Sequence, residues 1–148
     1  MPKIRVSTLI DAPPAVVWDA VEDIATHVNW MVDAVGIRFT SRRHAGVGTT
    51  FECDTKVGPF QLVDTMTITE WRAGKVMGVR HEGLVTGTGR FTLRRRRGGR
   101  TKFTWEERLV VPWKLGGRIT GVPARLVMTR MWRKSLRNLK SIVESANV

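Results

Sequence analysis

Residues 50–68 read TFECDTKVGPFQLVDTMTI, and their period is two. Phe51, Cys53 and Thr55 alternate with Glu52, Asp54 and Lys56; after Gly58-Pro59, the residues Phe60, Leu62, Asp64, Met66 and Ile68 share one face. Period two predicts strands, and Gly-Pro between two such runs predicts a tight reversal, so the stretch reads as an antiparallel hairpin. The pattern extends both ways. Upstream, Ile37, Phe39 and Ser41 alternate with Arg38, Thr40 and Arg42 before Gly46-Val47-Gly48 turns the chain. Downstream, Ala73-Gly74 leads into Met77, Val79 and His81, and a looser Gly83–Gly87 segment precedes Gly89, Phe91 and Leu93. Gly98-Gly99 then leads into Phe103, Trp105, Glu107 and Leu109. Six successive strands joined by short turns make a meander, not a β-α alternation.

The flanks supply the other elements. Residues 3–10, KIRVSTLI, predict a first strand with Ile4, Val6 and Ile10 on its apolar face. Asp11-Ala12-Pro13-Pro14 stops it. A helix is expected from Pro14 through Ala15–Val21, with Val17, Trp18 and Val21 inward, and Asp23 is placed to cap a second short helix reaching Trp30. Pro112 is expected to end the last strand. After Gly116-Gly117 and Gly121-Val122-Pro123, an apolar stripe of Met128, Met131, Trp132, Ser135, Leu136, Leu139, Ile142 and Val143 predicts a long amphipathic helix. Its opposite face carries Arg130, Arg133, Lys134, Arg137 and Lys140. A seven-stranded sheet with one wet face must bury the other, and this helix is the available cover. One helix is too narrow to fill such a concavity, so a pocket is expected.

The opening run VSTLIDAPPAVVW, Val6–Trp18, with Asp23 and Trp30 following, resembles the polyketide cyclase/dehydrase and lipid-transport group of the START-like, Bet v 1-like (SRPBCC) superfamily. The likeness covers the chain in element order, including the Arg96–Thr101 hairpin and the final helix. It implies an α+β helix-grip fold over one domain, 1–148: a seven-stranded antiparallel curved sheet wrapped around a long C-terminal helix, with two short helices after the first strand. It also implies a central cavity for lipids, polyketides, sterols or similar ligands. The group includes carriers, cyclases, aromatases and proteins without known activity, and none of its catalytic motifs carries over residue by residue.

Composition narrows the classes. The 148 residues are 42% hydrophobic and 26% charged, as in ordinary globular chains. The start alternates instead of forming an apolar block, and no apolar run approaches the roughly 18 residues needed to cross a bilayer. One cysteine, Cys53, excludes an intramolecular disulfide, and a reduced, cytoplasmic protein is expected. The formal charge is +12, and it is uneven: residues 1–74 carry 7 basic and 9 acidic side chains, residues 75–148 carry 18 and 4. The tract Arg94–Arg97, with Arg90, Arg100 and Lys102, suits peripheral contact with anionic membrane, or is plain solvated surface. Nucleic acid is disfavoured, since there is no helix-turn-helix, RRM-type aromatic motif or zinc ligand set. His27, His44 and His81 lack metal-ligand spacing, no cofactor is called for, and no pattern addresses oligomeric state.

Strand parity gives the expected pocket lining. The sheet contributes Phe39, Phe51, Leu62, Met66, Met77, Val79, Phe91, Phe103 and Trp105, and the helix Met128 and Trp132, with Trp105 and Trp132 facing each other. The same parity turns Asp64, His81 and Glu107 inward, with Cys53 beside them as a buried apolar residue more than a nucleophile. Two-residue turns at Gly58-Pro59 and Ala73-Gly74 would place Cys53 opposite Asp64 and His81 opposite Met66. An Asp64–His81 pair would then be a polar anchor or a general acid/base, or simply a satisfied internal hydrogen bond. Glu107, two strands from His81, is expected to stand apart, as a separate anchor or part of a surface charge ladder with Glu106 and Arg108. The leading functional expectation is binding or transport of a hydrophobic small molecule. The alternatives are a polyketide cyclase, aromatase or dehydratase using Asp64 and His81, and an interaction protein using its basic face.

Overall fold

The computed structural model describes residues 3–110 and 124–146. The expected stop at Pro112 and the turns at Gly116-Gly117 and Gly121–Pro123 lie outside the described residues. The elements are β1 (Lys3–Ile10), α1 (Pro14–Val21), a 3-10 helix (Ile24–Asn29), β2 (Ala34–Phe39), β3 (Thr50–Val57) and β4 (Phe60–Arg72). They continue with β5 (Val76–Glu82), β6 (Thr86–Arg96), β7 (Arg100–Val110) and α2 (Ala124–Ala146). All the strand pairings are antiparallel, in the order β1-β7-β6-β5-β4-β3-β2. The meander is therefore as the period predicted, and the first strand returns to pair with the last.

Each local stop has a cause. Pro14 opens α1, where its missing N–H costs nothing. Asp23 Oδ1 accepts the Ala25 N–H at 3.2 Å, capping the 3-10 helix. Thr101 Oγ1 donates to the Ala12 carbonyl at 2.7 Å, which ties the start of the helical pair to β7.

The β4–β5 register contains a correction. The turn is one residue longer than expected, since Arg72 pairs with Val76, but a bulge between Ile68 and Glu70 takes up the extra residue. Met66 consequently still faces His81. The Val57–Phe60 and Cys53–Asp64 pairings are as the two-residue turn required.

Helix α2 lies across the concave face. Trp132, Ser135, Leu136, Leu139 and Val143 are buried, while Ile142, expected in the stripe, is 43% exposed. At 100° per residue it lies about 60° from Leu139, just outside the buried arc. The C-terminal half is fastened to β1, because Lys140 Nζ donates to the Leu9 carbonyl and Glu144 accepts from the Asp11 N–H. Farther back, three side chains hold the segment between the 3-10 helix and β2. Asn138 donates to the Trp30 carbonyl, Ser135 accepts the Val32 N–H, and Trp132 donates to Asp33.

The convex face is charged. Arg38 forms a two-pronged pair with Asp54, and Arg90, Arg80 and Lys3 reach Glu70, Glu82 and Glu106. Such exposed pairs add little to stability, because water and salt screen them. Arg94–Arg97 are exposed toward the β6–β7 hairpin end, where Arg94 pairs across strands with Lys102 and Arg96 with Arg100.

Among the described glycines, Gly87 has the closest backbone approach. Its φ is +138°, and a Cβ there would lie 2.0 Å from the Arg108 carbonyl oxygen. Gly87→Ala should therefore lower unfolding free energy by more than about 2 kcal/mol, since it adds a backbone clash to a strained φ. Urea unfolding checks this; a loss under about 0.5 kcal/mol would contradict the geometry.

Candidate functional site: a buried polar cluster in an apolar cavity

Between the sheet and α2 lies a cavity of about 170 Å³, lined mostly by apolar side chains. That is close to the engineered cavity of roughly 150 Å³ that takes a benzene ring. All the residues assigned to the lining by parity reach it except Phe39 and Phe103. Phe39 is on the outermost strand and stacks on His44, ring centres 3.9 Å apart. Phe103 is sealed at 0% exposure against Trp30 and Phe91. Parity chose the right face for Phe103; it cannot say how deep a residue sits beneath its neighbours.

One wall is an aromatic stack. Trp105 on β7 and Trp132 on α2 lie 4.5 Å apart at 15°, face to face as expected. Each indole N–H is used. Trp105 Nε1 donates to Glu107 Oε1 at 3.1 Å, and Trp132 Nε1 to Asp33 Oδ2 at 3.2 Å. The stack thus orients two carboxylates as well as filling space.

Glu107 is not apart from His81, and this overturns the expected arrangement. His81 Nε2 lies 3.1 Å from Glu107 Oε2, with the two residues 6% and 7% exposed. It is an ion pair by distance whose N–H is not aimed along the contact, so both ring nitrogens lack a well-formed hydrogen bond. The strand between them makes the contact possible. His81 pairs with Gly87 and Glu107 with Gly89, so β6 presents two glycines where side chains would otherwise stand. A Cβ at residue 89 would lie 2.7 Å from Glu107 Oε1. The bare strand lets the carboxylate reach across it.

Asp64 has a different partner from the expected one. Thr55 Oγ1 donates to Asp64 Oδ2 at 2.9 Å, leaving Oδ1 buried and without a hydrogen-bond partner. Thr55 shares the inward parity of Cys53, so this bond was readable from the hairpin. Asp33 was missed, because it precedes β2 and has no strand period; α2 places it.

Burial sets the protonation of the cluster. It raises Asp64, against the Thr55 bond and the His81 charge, and raises Asp33, against the Trp132 bond. Burial works to lower His81, but the charge and contact of Glu107, helped by Asp64 and Asp33, leave its value raised. Burial pushes the Cys53 thiol up to about 12, which makes it a poor nucleophile. His27, also on the lining, donates from Nε2 to the Val21 carbonyl at 2.7 Å, and burial lowers it to about 4.

The family model described as polyketide cyclase/dehydrase and lipid transport matches residues 1–144. The chain belongs to that family. Among solved structures, TTHA0849 from Thermus thermophilus is 16% identical with a TM-score of 0.84, covering 99% of this chain and 100% of that one. The Zhui aromatase/cyclase from a Streptomyces species is 14% identical with a TM-score of 0.75, covering 97% and 93%. A major latex-like protein from Panax ginseng is 9% identical with a TM-score of 0.73, covering 95% of each. At these identities the likeness concerns the fold alone. No curated protein sequence matches significantly. No helix among the described residues is long and apolar enough to cross a membrane.

The two buried imidazoles should titrate in opposite directions. Because His27 is lowered from 6.5 to about 4, the unfolded chain takes its proton first as pH falls. Stability should drop between those values by about 3 kcal/mol and level off below. The raised His81 contributes stability that is present below pH 6.5 and lost as pH rises through its folded value. Histidine NMR titration should find His81 protonated above 6.5 and lowered by Glu107→Gln. His27 titrating near 6.5, or a His81 indifferent to Glu107, would contradict the cluster.

Proposed function

We propose that the protein is a cytosolic container that binds a small hydrophobic molecule in this cavity and holds or carries it without covalent chemistry. The observation that carries the reading is the mostly apolar cavity between sheet and helix, with Asp33, Asp64, His81 and Glu107 among its few polar lining residues. Family membership supports it, since the family's description includes lipid transport. The lining also extends to Val57, Phe60 and Val85, near the sheet end where Phe60, Leu84 and Val110 stand exposed, an apolar rim suited to ligand entry.

A second reading is favoured by one observation. His81, charged against Glu107, and Asp64 with its unpartnered Oδ1 are an acid and a base on the same cavity face. A cyclase or dehydratase acting on an enolisable polyketide could use such groups, and acid/base contributions of this kind are worth about 10²–10⁴-fold in rate. In that case His81→Asn should cut turnover by at least about a hundredfold. Unchanged turnover removes the second reading.

For the container, native mass spectrometry of gently purified protein should show a heavier species carrying a hydrophobic ligand. A ligand present at a hundred times its Kd should add about 2.7 kcal/mol and raise Tm by roughly 5–10 °C. Val79→Phe, which pushes a ring into the cavity, should weaken binding at least tenfold. An unliganded protein with no Tm gain across a panel of apolar compounds would contradict the proposal.

A further inference from the structure

The container reading, on which this inference rests, leaves open what kind of polar end the ligand carries. The described lining narrows it. Three carboxylates face the cavity, Asp33 from before β2, Asp64 from β4 and Glu107 from β7, against one imidazole, His81 from β5. His27 is committed to the Val21 carbonyl, and Arg90, which also borders the cavity, has its guanidinium on Glu70 at 2.5 Å. No lysine is among the described lining residues.

Most of this polarity is already spent. Glu107 holds His81 Nε2 and the Trp105 N–H, and Asp33 holds the Trp132 N–H. Asp64 Oδ2 holds the Thr55 hydroxyl. Three atoms of the cluster lack a hydrogen-bond partner, Asp64 Oδ1 and both His81 ring nitrogens, on residues 6% exposed; Nε2 faces Glu107 Oε2 at 3.1 Å, so the two left for a ligand are Asp64 Oδ1 and His81 Nδ1. One is an acceptor. The other is a donor when Nε2–H faces Glu107 and the ring is charged.

Their spacing also matters. His81 is opposite Met66, two residues along β4 from Asp64, so the two are diagonal neighbours on one face. Diagonal cross-strand positions are about 7–8 Å apart, near enough for side chains to share a bridging group. A group that donates one hydrogen bond and accepts one suits that gap.

We infer that the cavity selects a ring-sized apolar molecule bearing a hydroxyl, which donates to Asp64 Oδ1 and accepts from His81 Nδ1, and that it rejects carboxylates. A hydroxyl satisfies both leftover atoms and brings no charge to bury. A carboxylate would meet Asp33, Asp64 and Glu107 together. An ammonium would serve Asp64 and leave His81 facing a like charge.

Four ligands with one ring system separate these cases at pH 7: 2-methylnaphthalene, 2-naphthylmethanol, 2-naphthylmethylamine and 2-naphthoate, with affinities measured by ligand-observed NMR or calorimetry. The alcohol should bind at least tenfold more tightly than the hydrocarbon and the amine, and naphthoate should be weakest. In Asp64→Leu, the alcohol's advantage over the hydrocarbon should fall below about threefold, a ratio that needs only a folded variant with a cavity. If that variant does not fold, the wild-type order alone decides. A hydrocarbon that binds as tightly as the alcohol overturns the inference and leaves the container intact. An amine or a naphthoate that matches the alcohol overturns it too. If none of the four binds, both readings fall.

Discussion

A sheet of seven strands spaced about 4.8 Å apart is roughly 29 Å wide, whereas a helix with its side chains is only about 10–12 Å across. Curling the sheet narrows the gap without closing it. The protein covers its concave face with α2, and the α1 and 3-10 helices cover the end near β6, β7 and β2. Apolar side chains that point inward from β3, β4 and β5 then face a space that α2 does not fill. The cavity is a consequence of element widths, and the hydrophobic lining follows from the same alternation that makes the strands.

Such a cavity is a costly place for charge, and the way the protein admits charge shows how tightly local features depend on each other. An imidazolium or carboxylate moved from water into apolar surroundings loses several kcal/mol of hydration unless it finds a partner. His81 and Glu107 find each other across a strand that would separate them if residue 89 carried a side chain. Gly87, beside it, is constrained independently by its backbone. Removing one member of a buried pair leaves the other uncompensated, typically at about 3–5 kcal/mol. The Trp105–Trp132 stack adds to this, because its two N–H groups hold Glu107 and Asp33 while its faces close one wall. Sheet, helix and polar patch are therefore fastened at the same points.

Much of this is legible in the sequence, for physical reasons. Alternation assigns residues to faces, so Asp64, His81, Cys53 and the aromatic lining could be written down from parity. The Gly58-Pro59 turn sets the β3–β4 register correctly. The β4–β5 register came out right although its turn is a residue longer than a tight hairpin, because the bulge at Ile68–Glu70 cancels the offset. Parity carries no information on what happens across an intervening strand. The reach of Glu107 to His81 depends on glycines in β6, whose meaning as a groove, not as loop residues, requires the register. Depth is likewise invisible: Phe103 is on the correct face but beneath others, and Phe39 is at the sheet's edge. Asp33, outside any periodic element, is positioned by α2 from about a hundred residues away in the chain.

The mismatch in width between one helix and seven strands keeps an apolar space open. Xenon enters such spaces without needing a particular head group. A crystal of the unliganded protein under xenon pressure should show the gas between Met66, Val79 and Trp132, with little movement of those side chains. If Met66 and Trp132 instead close on one another and no xenon lies between sheet and helix, the space is filled by repacking and the account fails.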